Sequence, residues 1–274
     1  MPETTLCSLE ALAAAVPDGA LLAVAKDSSG VAMAATRELV RRGARDLHLL
    51  CVPVSGVQAD VLIGAGCVRT LETSGIALGE FGAAPRFVAA LKEGKLRVID
   101  STCPAVYAAL QAGQKGIPFI PLRGLLGTDL LANHKDWKVI DNPFSPGDPI
   151  VVLQAIRPDV ALFHASLADR AGNVFVGRER ELLIMAHAAH RTLVTVEEIT
   201  EQNLLEDPAR AGAVVPSIYV ERIALAPRGA WPVGLVDHYA QDDAEIARYA
   251  AAARTPEGFT DYVNEWLGDR RAAA

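Results

Sequence analysis

Short apolar runs alternate with helical stretches along this chain, and that alternation most limits what it can fold into. Ala20 to Ala25, Leu47 to Val52, Val61 to Ala65, Arg69 to Thr73, Leu96 to Ile99, Lys138 to Ile140, Val160 to Phe163 and Thr192 to Val196 read as strands. Leu9 to Val16 and Val31 to Gly43 read as helices, the second stopped by its glycine. Strands separated by helices pair in parallel through crossovers that cover the sheet, so the expected fold is α/β, an open and mostly parallel sheet flanked by helices. Asp242 to Ala253 and Glu257 to Leu267 read as two closing amphipathic helices, with Pro256 at the start of the second. The Pro/Gly-rich stretch Asn142 to Pro149 reads as a surface loop rather than a linker, because the alternation resumes on both sides. One domain over residues 1–274 is expected.

Composition narrows the function classes. With 51% hydrophobic residues the chain can bury a large core, and a net charge of -7 argues against a nucleic-acid partner. Arg37, Arg41, Arg42 and Arg45 read as the solvated face and end of a helix. Cys7, Cys51, Cys67 and Cys103 lack metal-ligand or disulfide-framework spacing. No segment has the length and polarity of a signal peptide or a membrane span, so a cytoplasmic protein without a membrane partner is expected.

The chemistry of such a fold belongs in the loops after strands. His164 to Asn173, His-Ala-Ser-Leu-Ala-Asp-Arg-Ala-Gly-Asn, is expected to begin where a buried strand ends. Lys26-Asp27-Ser28-Ser29-Gly30 follows the first main strand and opens a helix, so it suits an anion, or else Ser28 or Ser29 simply caps that helix. It lacks the spacing of either standard nucleotide-binding glycine loop. Glycines cluster at Gly64 and Gly66, at Gly75, and at Gly79 and Gly82, which suits close backbone approach or packing alone. Within Pro118 to Asp129, Arg123 offers a fixed donor fork between stiffening prolines and bending glycines. No Gly-x-Ser-x-Gly elbow and no His-Glu-x-x-His occurs, and His187 and His190 read as packing or capping groups rather than metal ligands. Glu197 and Glu198 are either acid/base groups or, more simply, residues that start a helix.

Taken together, Arg41 to Leu47, Asp60 to Gly66, Pro118 to Asp129, His164 to Asn173 and Thr195 to Ile199 resemble, in order, the alpha subunit of the family I CoA-transferases, of the glutaconate CoA-transferase type. The resemblance implies that family's fold and its covalent chemistry, in which a glutamate carboxylate attacks an acyl-CoA thioester and passes CoA to a second carboxylic acid. That glutamate belongs to the beta subunit in a Ser-Glu-Asn-Gly-type context, which is absent here, so no catalytic residue is expected in this chain. The resemblance also implies an obligate beta-subunit partner in an αβ or α2β2 assembly, with coenzyme A as substrate and no permanently bound cofactor or metal. By family position Lys26, Ser28, Ser74, Gly75, Arg123, Gly127 and Thr128 are expected to face the acyl-CoA or the acid. Arg123 would pair with a substrate carboxylate, and Ser28 or Ser74 would donate to an acyl oxygen. Relatives often carry a glycine-rich loop where this chain has Ala25 to Gly30, and a glutamate where it reads Asp100-Ser101-Thr102. The same architecture admits two alternatives. One is a ring-opening hydrolase of steroid-derived CoA esters with Asp100 as general base; the other is a non-catalytic CoA-ester-binding homologue.

Overall fold

The computed structural model describes residues 4–268. In chain order its strands are β1 (Thr5–Leu6), β2 (Leu21–Ala25), β3 (Leu47–Val52), β4 (Val68–Thr73), β5 (Arg97–Asp100), β6 (Phe119–Leu122), β7 (Lys138–Asp141), β8 (Pro149–Gln154), β9 (Val160–Asp169), β10 (Val174–Phe175), β11 (Arg191–Thr200), β12 (Val214–Val215) and β13 (Arg222–Leu225). Its α-helices are α1 (Leu9–Ala14), α2 (Met33–Arg41), α3 (Val57–Gly64), α4 (Pro85–Lys92), α5 (Cys103–Lys115), α6 (Leu130–Asn133), α7 (Arg180–Ala188), α8 (Asp243–Ala252) and α9 (Pro256–Gly268).

The main sheet runs β1-β13-β11-β9-β2-β3-β4-β5, and every pairing along that path is parallel. Alternate residues of β2 go to opposite layers: Leu22 and Val24 pack on one face, Ala23 and Ala25 on the other. Both faces of a parallel sheet need such cover, which is why its strands read as unbroken apolar runs. The chain winds from β2 outward to β5, then returns to build β9, β11 and β13 on the other side of β2. The order therefore reverses between β2 and β9, and the crevice beyond their carboxyl ends is where open α/β sheets bind ligands. Gly43 sits at φ +67° directly after α2 and terminates it as its sequence position requires.

Several sequence expectations change. Val61 to Ala65 belongs to α3 and the residue that caps it. That helix is buried all round, from Val57 to Ile63, so it has no polar face to betray its period. Lys138 to Ile140 is a strand, but in a separate antiparallel sheet β6-β8-β7 packed against α5. Asn142 to Pro149 is the hairpin loop of that sheet. Strand β9 does not stop at Phe163: it runs to Asp169, so the polar decapeptide begins inside the strand and ends in the β9–β10 turn. Glu197 and Glu198 likewise lie within β11 and start no helix. Arg37 is buried rather than solvated. Helices α8 and α9 close over Val31, Met33, Val57 and Val61, with Tyr249 wholly enclosed. Among the described residues, no helix is long and apolar enough to cross a membrane.

Candidate active site

Loops leaving β2, β3 and β4, together with residues 233–241, enclose an open cavity of about 770 Å³. Lys26, Asp27 and Ser28 line it from the first loop, Gly56 and Val57 from the second, and Gly75 from the third. Sequence position alone explains the gathering, since these are adjacent parallel strands whose carboxyl ends face one way.

Asp27 locks two of these loops together. Its Oδ1 accepts from the Gly56 amide at 3.0 Å and its Oδ2 from the Val57 amide at 3.2 Å, at the N-terminus of α3. Burial pushes this carboxyl up to about 6, against the two amide bonds that favour its charge. A Cβ on Gly56 would stand 2.1 Å from Oδ2 and 2.8 Å from the Ala77 carbonyl oxygen, so only glycine leaves room for this contact.

Lys26 and Ser29 meet helix α7 instead. Lys26 Nζ lies 2.9 Å from Glu181 Oε1, while the buried Ser29 hydroxyl lies 2.5 Å from Glu181 Oε1 and 2.7 Å from Glu179 Oε2. Burial alone would raise the Glu181 carboxyl, but the bonds from Ser29 and Lys26 outweigh it and keep the group ionised. Its hydrogen bond in turn holds Lys26 above the ordinary lysine value. Neither Ser28 nor Ser29 caps α2, whose N-cap Ala32 offers no side-chain bond.

On the other side of the switch point, His164 is fully buried between β11 and the segment after β13. Its Nε2 stands 2.7 Å from Glu197 Oε1 and its Nδ1 2.8 Å from Thr195 Oγ1. A carboxylate only accepts, so Nε2 carries the proton and Nδ1 accepts from the threonine hydroxyl. Glu197 also receives the Arg228 amide at 2.6 Å, the Gly229 amide at 3.2 Å and the Tyr239 hydroxyl at 2.7 Å. Burial would raise this carboxyl, yet those donors bring it down to about 2. The network ends at Tyr239, a cavity-lining side chain, so it fixes that wall onto the sheet.

The decapeptide's second half is structural. Asp169 Oδ1 accepts from the Asn173 amide at 2.9 Å, its Oδ2 from Asn173 Nδ2 at 2.8 Å and the Leu204 amide at 2.9 Å, and Asn173 Oδ1 takes the Ser217 amide at 2.9 Å. Ser74 donates to the Pro53 carbonyl at 2.9 Å and thus accepts from the exposed Cys103 thiol at 3.1 Å. Arg123 is exposed and forms a two-pronged ion pair with Asp148; it lines a separate hollow of about 430 Å³ on the antiparallel sheet. Exposed Gly127 and Thr128 follow it in the turn before α6. Asp100 ends β5 with its side chain exposed and its carbonyl 2.5 Å from His134 Nε2. His187 contacts Gln114 and Tyr219. Among the described residues, no three His, Cys, Asp or Glu side chains are grouped to hold a metal ion. The loops were legible because each follows an apolar strand; Glu181 and Tyr239 were not, since neither lies in a motif and both arrive from distant sequence.

Residues 8–226 match the family model described as coenzyme A transferase. One of the two subunits of the 3-oxoadipate CoA-transferase of Pseudomonas knackmussii is 32% identical over 265 residues, covering 94% of this chain and 91% of that protein. The crystal structure of glutaconate coenzyme A-transferase from Acidaminococcus fermentans superposes with a TM-score of 0.90 at 27% identity, over 98% of this chain and 90% of the other. A crystal structure of a variant of the decarboxylase AibA/AibB superposes at 0.85 with 32% identity, over 98% of this chain and 100% of the other. The chain thus belongs to the coenzyme A transferase family.

Proposed function

We propose that this chain is the non-nucleophilic half of a two-chain acyl-CoA:carboxylate CoA-transferase, and that its cavity forms one wall of the acyl site. The observation that supports this most is the state of the carboxylates lining the cavity. They are Asp27, whose two oxygens are each held by a main-chain amide, and Glu80, exposed in a single 3₁₀ turn. A cavity at the switch point with no poised nucleophile is half a site, and the missing carboxylate comes from a beta-subunit partner in an αβ or α2β2 assembly.

In this reading a partner glutamate attacks the thioester carbonyl of an acyl-CoA. The C–S bond breaks, the CoA thiolate leaves, and an acyl-glutamyl anhydride remains. The thiolate then attacks the glutamyl carbonyl, the acyl group departs as a free carboxylate, and a glutamyl-CoA thioester is left. An acceptor carboxylate regenerates the glutamate by the same steps in reverse. This chain's share is orientation and exclusion of water: the Gly75 loop, Ser28 and Lys26 face the thioester end, and the apolar wall covers the acyl tail. Ser74 spends its proton on Pro53, so it shapes the loop before Gly75. Coenzyme A is a substrate and no resident cofactor is needed. The steroid-ester hydrolase reading draws less support, because Asp100 is not among the residues lining the cavity.

The test compares this chain alone with the chain co-purified with the beta subunit encoded beside it, using acyl-CoA donors and acetate. Acetyl-CoA formed only by the pair is the expected result. Free CoA or carbon dioxide in place of acetyl-CoA would assign the pair to hydrolysis or decarboxylation instead.

A further inference from the structure

The chemistry of the cavity wall discriminates between classes of acyl group. Its lining is dominated by aliphatic and aromatic side chains, among them Val54, Ile76, Leu78, Phe81, Leu235 and Val236. Among the described residues that line it, Lys26 is the one cation. Its ammonium is already neutralised by Glu181 at 2.9 Å, and Asp27 and Glu80 add negative charge to the same wall. Arg123, the fixed fork that suits a carboxylate, is committed to Asp148 and lines the other hollow. A second carboxylate at the far end of an acyl chain would therefore lose its water here and meet no uncommitted cation, which is strongly unfavourable. An aliphatic chain loses nothing, and gains about fourfold in affinity for each methylene buried.

Resting on the reading of this cavity as the acyl site, we infer that the chain selects acyl-CoA esters of apolar monocarboxylic acids, of about four to eight carbons, rather than dicarboxylic acids. The relatives named for 3-oxoadipate and glutaconate act on dicarboxylates by name. The preference would thus divide this chain from them by charge at the tail, while the thioester end stays common. A volume of about 770 Å³ lies within the range of pockets that enclose a medium-sized ligand, so a chain of that length fits without displacing the loops.

The experiment measures binding of butyryl-, hexanoyl- and glutaryl-CoA to the two-chain protein by calorimetry without acceptor acid, so that its outcome does not depend on turnover. Hexanoyl-CoA should bind about ten- to twentyfold tighter than butyryl-CoA and at least tenfold tighter than glutaryl-CoA. Glu181→Gln, which frees Lys26 from its charge partner, should narrow the hexanoyl-to-glutaryl ratio at least threefold. Val236→Arg, which adds a cation at a half-buried lining position, should narrow it further. Glutaryl-CoA binding as tightly as hexanoyl-CoA, or a ratio that neither variant moves, overturns the inference. Acetyl-CoA production by the same preparation with acetate reports separately on the CoA-transfer reading, so the two can fail independently.

Discussion

Nε2 of His164 on β9 stands 2.7 Å from Oε1 of Glu197 on β11, in a pair whose imidazole is wholly buried. Four donors converge on that one carboxylate, and they come from distant stretches of sequence: a ring nitrogen, the amides of Arg228 and Gly229, and the Tyr239 hydroxyl. The contact joins the sheet to the segment that walls the cavity. Truncating Glu197 to alanine leaves buried donors without an acceptor, and is expected to cost about 3 kcal/mol. The neighbouring Glu198 is exposed, and its alanine variant should stay within about 0.5 kcal/mol of the parent. Urea unfolding of both variants checks the pair; equal losses would show that the network holds nothing.

Acid should weaken the fold through the same two groups. Burial holds His164 below its ordinary 6.5, so the unfolded chain protonates first, and stability declines as the pH falls below about 6.5. Glu197, held down at about 2, contributes stability that is complete above its ordinary 4.5 and is lost as the pH falls from there toward 2. Denaturant midpoints at pH 8, 6, 5 and 4 should fall in that order. A rise on acidification would contradict the assignment.

Asp27 acts with the opposite sign. Its carboxyl, raised to about 6 from an ordinary 3.8, binds a proton more tightly folded than unfolded, so between those values acid adds stability through this group. Asp27→Asn removes that offset and should lose stability more steeply between pH 6 and pH 4 than the parent does. Parallel curves would show that the group is not raised.

Gly56→Ala tests the space beside Asp27. The added Cβ meets a carboxylate oxygen and a carbonyl oxygen inside van der Waals contact, neither at the end of a flexible chain. A loss of about 1–3 kcal/mol in unfolding free energy is expected, the usual cost of overpacking. An alanine accepted without loss would show that the loops after β2 and β3 are not clamped.

Cysteine reactivity should follow burial. Cys51 and Cys67 are enclosed, and burial pushes their thiols up to about 12 and about 11, whereas Cys103 is exposed at the start of α5. Iodoacetamide under native conditions should modify Cys103 well before Cys51 or Cys67, read by peptide mass mapping. Early modification of Cys51 would contradict the core arrangement.

Much of this was legible from residues alone, and the misses have physical causes. A parallel sheet buries both faces, so β2, β3, β4 and β11 announced themselves as apolar runs, and the loop 26–30 was located by the strand before it. Helix α3 passed for a strand because burial on every side erased its amphipathic period. His164 and Glu197 looked like loop residues because a polar side chain inside a strand is unexpected, and only the register of β9 beside β11 shows them facing each other. Lys26, Ser28 and Gly75 were found from loop position, while Arg123, Gly127 and Thr128 lie around the antiparallel sheet, whose hairpin pairing short mixed runs did not reveal. The apolar lining at 233–241 carries no motif, since a cavity wall needs shape and hydrophobicity rather than particular residues at fixed spacing.

The central claim is that the reactive carboxylate lies on the companion polypeptide and this chain shapes the acyl cavity. Incubating the two-chain enzyme with hexanoyl-CoA, reducing it with borohydride and mapping the modified peptide tests this directly. Reduction of a glutamyl thioester on the partner, with this chain unmodified, is the result expected. A reduced side chain at Glu80, or at any other carboxylate of this polypeptide, would contradict it.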